Sequence, residues 1–166
     1  MAELLYYPIL ILLLILQMTI GRNIQLVGGA VDLILLWLVC WGLHRQGKNV
    51  WYGALFAGLI LTFASAVPWY VSFLSYFFAA GMSRYFSKRF WHNPLIALFI
   101  VTFVSSLFGI LLQYAVLAFL NGNMGWGVSL THVIIPSVFM NLILALPVYA
   151  IVHDMSRWMY PAEVEA

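Results

Sequence analysis

Charge is the scarcest property of this chain. Of its 166 residues only 7 are Lys or Arg and 5 are Asp or Glu, so 7% are charged, where a water-facing domain carries about a quarter. Water is therefore not the main solvent for this surface. The net charge of +2 is small and scattered, which excludes the basic stripe that nucleic-acid binding requires. Cysteine is almost absent. Cys40 stands alone inside an apolar run, so neither an intramolecular disulfide nor a cysteine-based metal site can form, and the residue reads as a small buried hydrophobe. Linkers, low-complexity tracts and internal repeats of useful strength are also missing.

Reactive constellations are lacking too. The histidines His44, His92, His132 and His153 contain no helical i, i+4 pair that could hold a metal. Ser105, Ser106 and Ser137 have no histidine at a comparable depth to act as base. Asp32 and Asp154 belong to opposite sides of the predicted architecture, so paired carboxylates for acid and base work are not available. These absences argue against an enzyme, and no cofactor or metal is expected.

What the chain has in abundance is hydrophobic length. Apolar segments long enough to cross roughly 30 Å of hydrocarbon as helix fall at 4–20, 27–43, 50–67, 69–84, 94–120 and 128–152. Strands of an outer-membrane barrel would instead alternate over about ten residues. The breaks carry turn chemistry: GRN at 21–23, HRQGKN at 44–49, Pro68, the basic SRYFSKRFWHN at 83–93 and NGNMGWG at 121–127. The first run, ELLYYPILILLLILQMTI, carries Glu3 where a signal peptide is basic and has no clear small-residue cleavage site, so it reads as a retained span. The expected fold is an all-α integral membrane protein, one bundle of six transmembrane helices occupying 1–166 as a single domain. The third and fourth spans share only about 34 residues around Pro68, near the lower limit for two crossings, and a re-entrant hairpin stays open there.

Lys and Arg mark the cytoplasmic side of short loops. Arg45 and Lys48, then Arg84, Lys88 and Arg89, then Arg157 all fall on one side of a six-span arrangement, six of the seven basic residues. Only Arg22 lies opposite. The bias predicts both termini in the cytoplasm. Trp51, Trp69, Trp91, Trp126 and Trp158 lie near span ends, where an amphipathic indole prefers the headgroup region.

Few polar residues interrupt the spans. Asp32 follows Gly28 and Gly29 at the start of the second span, where the helix dipole favours an anion and Arg22 in the same outer loop is a pairing candidate. Two readings stay open for it: a helix-start role, or contact with a partner or ligand. Gln17 lies at similar depth, so the two predict a small polar cluster at the outer leaflet. In the last span Ser137, Asn141, Ala145 and Tyr149 recur every four residues on one face, and Asn141 is expected to hydrogen-bond across to another helix. Pro136 and Pro147 each remove a backbone donor and are expected to bend that helix. Thr102, Ser106, Gly109 and Gln113 form a matching face on the fifth span, expected to pack against the last, with a substrate pocket between them as the alternative. Similar small-residue faces occur in the third span (Gly53, Ala57 and, offset, Ala54, Gly58) and the fourth (Ser72, Ser75, Ala79, Ser83), a pattern of close helix association.

The order of these features resembles a known family. Gln17 late in the first span, VDLIL at 31–35, a basic cytoplasmic turn, and PSVFMNLILALPVYAIV with Asn141 and then Pro147 together resemble the bacterial rod shape-determining protein MreD family over essentially the whole chain. The chain departs from that pattern at Val31, where the family often has proline, and at LTFASAVP, which lacks an aspartate often found there. The resemblance implies a non-catalytic scaffold of the cell-elongation, peptidoglycan-synthesising complex in the bacterial cytoplasmic membrane. The implied partners are MreC, RodA, a class B penicillin-binding protein and MreB, besides membrane lipids. Carried over onto this sequence, the residues that contact partners or shape the bundle are Gln17, Asp32, Asn141 and Pro147, with Arg22 as the outer-loop cation. The alternative is a substrate-binding membrane subunit of an energy-coupling-factor vitamin transporter, similar in overall fold. That reading expects a small-residue stripe in the first helix, and YYPILILLLILQMTI has none.

Overall fold

The computed structural model describes residues 2–23, 30–44, 49–64, 68–89, 93–121 and 130–159. Among these every regular element is helical: α1 (Ala2–Asn23), α2 (Leu33–Leu43), α3 (Val50–Ala64), α4 (Trp69–Arg89), α5 (Pro94–Asn121) and α6 (Ile135–Met159), the last entered through a π-helical turn at Leu130–Ile134. By length and composition, two apolar stretches suffice to cross a bilayer: Pro94–Leu120 in α5, and His132–Arg157, which takes in the end of the π-turn and most of α6.

Several boundaries differ from expectation, among them the end of the last helix at Met159 rather than 152, and three differ for a clear local reason. The helix expected to end at 84 runs on to Arg89, because Lys88 and Arg89 in its last turn suit the negative end of the helix dipole. α2 starts only at Leu33, with Asp32 as its N-cap. Of the expected second span, Ala30 and Val31 are therefore non-helical, and 24–29 lie outside the described residues. The last helix opens with a widened π-turn just ahead of Pro136, a position where the proline ring would clash with the carbonyl four residues earlier in a regular α-helix.

α2 is the axis of the molecule. Every residue from Leu33 to Gly42 is buried, as expected of a helix that is apolar on all sides. It packs against α4, α6 and α5, and more lightly against α1 and α3. Cys40 is buried within it, in keeping with its reading as a small hydrophobe. The backbones approach closely where side chains are small: a Cβ on Gly42 would lie 2.0 Å from Ser83 Oγ, and one on Gly109 would lie 2.5 Å from Ser75 Oγ. The small-residue faces of α3 and α4 are accordingly buried, including Ala54, Ala57, Ala79 and Ser83.

The distribution of polarity is inverted relative to a water-soluble bundle. Ser83, Thr102, Ser105, Ser106, Ser137 and Asn141 are buried, while Phe63 and Phe119 are each 90% exposed and many other large apolar side chains face outward.

Candidate functional site

The first turn of any α-helix leaves backbone N–H groups without intrahelical acceptors. At and just before the start of α2 four side chains accept from backbone N–H groups, three of them from other helices. Asp32 Oδ1 accepts from Leu35 N at 2.9 Å, the ordinary N-cap bond. Gln17 Oε1 of α1 accepts from Ile34 N at 3.1 Å. Asn141 Oδ1 of α6 accepts from Asp32 N at 3.0 Å, and Ser137 Oγ, one turn earlier on α6, accepts from Ala30 N at 2.9 Å. Ser137 sends its own proton back to Val133 O at 2.6 Å.

Two further bonds extend this knot across the bundle. Asn141 Nδ2 donates to Ser106 Oγ of α5 at 3.0 Å, so one buried amide links α2, α5 and α6. Tyr76 of α4 donates its hydroxyl to Asp32, 3.3 Å from each carboxyl oxygen. In these bonds the Asp32 side chain is the acceptor. Beside the knot is a cavity of about 440 Å³, walled by residues of α1, α2, α3, α4, α5 and the start of α6, with Asp32, Tyr76, Ser72, Ser75 and Gln113 on its wall.

The structure thus brings Gln17, Asp32 and Asn141 together, although 109 residues separate the last two. The facing polar stripes of α5 and α6 meet through Ser106 and Asn141 as expected. Pro147 does not join them. It lies within α6 with its ring exposed. The side chain of Arg22 lies outside the described residues, as do Gly28 and Gly29. The polar partner that does reach Asp32 is Tyr76, which sequence reasoning missed. Its signal was a hydroxyl within a span, one turn beyond Ser72 and next to Ser75 on an already polar face.

A second polar cluster lies at the other end of α2. Ser87 Oγ of α4 donates to Leu43 O at 3.0 Å, and Arg84 Nη1 donates to His44 O at 3.2 Å. Ser156 of α6 directs its proton to His153 O at 2.7 Å, and its Oγ also pairs with His44 Nε2. The rings of His44 and His153 meet edge to face, 5.8 Å between centroids, and His153 Nδ1 lies 3.6 Å from Asp154. Burial, and then the neighbouring His153, push the His44 imidazole below its ordinary pKa of 6.5. No group of three His, Cys, Asp or Glu side chains is placed to hold a metal ion among the described residues.

An all-helical chain with an apolar exterior and an internally tethered central helix is the class these observations define. No protein-family model, curated protein or solved structure matches the chain.

Proposed function

We propose that the chain is a multi-pass protein of the bacterial cytoplasmic membrane, six helices crossing with both termini inside, that acts as a non-catalytic scaffold of the cell-elongation complex in the manner of the MreD family. Two apolar stretches of spanning length and the inverted polarity of the bundle support the membrane setting, since monomeric soluble proteins rarely expose apolar patches of more than a few hundred Å².

One observation carries the scaffold reading. Gln17, Asp32 and Asn141, the residues on which the family resemblance rests, converge on a single knot at the start of α2. Residues far apart in the chain that meet at one point form a structural unit, and this unit fixes the helix faces that a single-span partner would meet. The implied partners are MreC, RodA, a class B penicillin-binding protein and MreB. Co-purification in mild detergent from the native host tests this: recovery of MreC and RodA supports the scaffold. Unaltered rod shape after depletion of the protein would overturn it.

The cavity beside Asp32 favours one other reading, the substrate-binding subunit of an energy-coupling-factor transporter. Recovery of an ATPase module in the same experiment, with binding of a vitamin by the purified protein, would select it.

A further inference from the structure

The cavity beside Asp32 holds more hydrogen-bonding capacity than the protein itself uses. Ser72 and Ser75 stand on its wall, each only 7% exposed, and neither hydroxyl has a hydrogen-bond partner among the described residues. Helical serines commonly turn back to a carbonyl three or four residues earlier, as Ser83 does to Ala80 O at 2.9 Å and Ser137 does to Val133 O at 2.6 Å. Ser72 and Ser75 do not. The Asp32 carboxyl on the same wall accepts from Leu35 N and Tyr76 Oη, with Gln17 and the backbone of Ile34 also beside it.

Charge points the same way. Among the described residues the lining includes one carboxylate, Asp32, and no Lys, Arg or His, so the described wall supplies no counter-charge. A buried carboxylate without an opposite charge is costly, and a ligand that brings a cation into this space offsets that cost. The remainder of the wall is largely apolar, with Leu35, Leu61, Val71 and Ile110 among it. A volume of about 440 Å³ lies within the range of small-molecule pockets.

We propose that this cavity is a binding site for a primary ammonium group carried on an apolar body. The ammonium presents three donors and no acceptor, matching a carboxylate and two unpartnered hydroxyls, while the apolar body occupies the aliphatic wall. An anion is excluded by Asp32, and a neutral alcohol of the same shape leaves the carboxylate uncompensated. Two sources share this chemistry, a free amine and the headgroup of phosphatidylethanolamine. The site depends on the cavity alone, so loss of the scaffold partners and loss of amine binding are separate outcomes.

The test uses the full-length protein, delipidated in a non-ionic detergent and titrated calorimetrically with phenethylammonium, phenethyl alcohol and hydrocinnamate. The expected result is saturable binding of the ammonium, about tenfold or more tighter than the alcohol, a difference near 1.4 kcal/mol, with no binding of the anion. D32N retains an N-capping side chain but removes the charge, and should bring the ammonium down to the affinity of the alcohol. S72A/S75A leaves the start of α2 untouched and should weaken the ammonium several-fold. Equal affinity for ammonium and alcohol in the unmodified protein overturns the proposal. So does an ammonium preference that persists in D32N, or an S72A/S75A protein that binds as tightly as the unmodified one. Competition in nanodiscs then assigns the source. Displacement of phenethylammonium by phosphatidylethanolamine, but not by phosphatidylglycerol, identifies a lipid headgroup; binding undisturbed by either lipid identifies a free amine.

Discussion

The two ends of α2 are tied by opposite chemistry. At its start, Gln17, Ser137 and Asn141 offer oxygen atoms to backbone N–H groups. At its finish, Ser87 and Arg84 offer protons to backbone carbonyls. Both follow from its length and burial: eleven residues rise only about 16 Å, and those from Leu33 to Gly42 are all buried. A helix that short and buried cannot bring both sets of unpaired end groups to water, and each buried unsatisfied group costs about 1–3 kcal/mol. The neighbouring helices provide the partners instead. The ends differ in what lies beside them: the start borders a cavity with unspent hydroxyls, and the finish is closed by the Gly42–Ser83 approach.

The start should be the more sensitive end. N141L removes the acceptor for Asp32 N and the donor to Ser106 while keeping side-chain bulk. It leaves two buried polar groups unpaired, at about 1–3 kcal/mol each, and should produce the largest fall in melting temperature in detergent. A melting point within a degree or so of the unmodified protein would mean that the knot does not hold α2. At the finish, G42A forces a Cβ against Ser83 Oγ and Cβ and should cost about 1–3 kcal/mol of overpacking. S83G placed in the same chain should return most of that loss, and a failure of rescue would show that the close approach is not the cause.

Smaller effects sharpen the contrast. D32A removes the cap of α2 and should cost about 1 kcal/mol, whereas D32N, which still accepts from Leu35 N, should cost a fraction of that. If both variants melt alike, the carboxylate is not acting as a cap. The smallest effect belongs to His44. Its folded-state pKa lies below the unfolded value of 6.5, so the unfolded chain takes up a proton first as pH falls. Stability should therefore be flat above about 6.5 and decline on acidification below it. Groups near the imidazole include His153, paired with Asp154, and Arg84, which bonds the His44 carbonyl. H44Q should flatten the decline, and a pH profile unchanged by that substitution would place the titration elsewhere.

The helices themselves were largely legible, because six apolar runs separated by turn residues mark their own limits. Where they were misplaced, the cause was local: Arg89 extends α4 because a basic last turn is favourable, and Asp32 delays α2 because its side chain caps better than it continues a helix. Asn141 was legible as a group that hydrogen-bonds to another helix, since an amide in an apolar stretch has few other outlets. Its acceptor role toward the backbone of Asp32 was not, because periodicity gives the face of a helix but not its rotation against a neighbour. Tyr76 was hidden for a different reason. In a chain that is 17% aromatic, one more ring on a helix carries no signal until its hydroxyl is seen to meet Asp32. The approach of His44 to His153 was equally invisible, since it depends on where two remote chain segments finish side by side.

The tethering of α2 also dictates an order of events during biosynthesis. Its start is completed by Ser137 and Asn141 of α6, more than 100 residues later in the chain. Until then the second segment made carries orphaned amide protons. Contacts of such long sequence separation are the slow ones to form, and chains emerge at about 5–20 residues per second. The nascent protein therefore waits several seconds with its central helix unfinished, and a chain cut short before α6 would be left with that end unsatisfied.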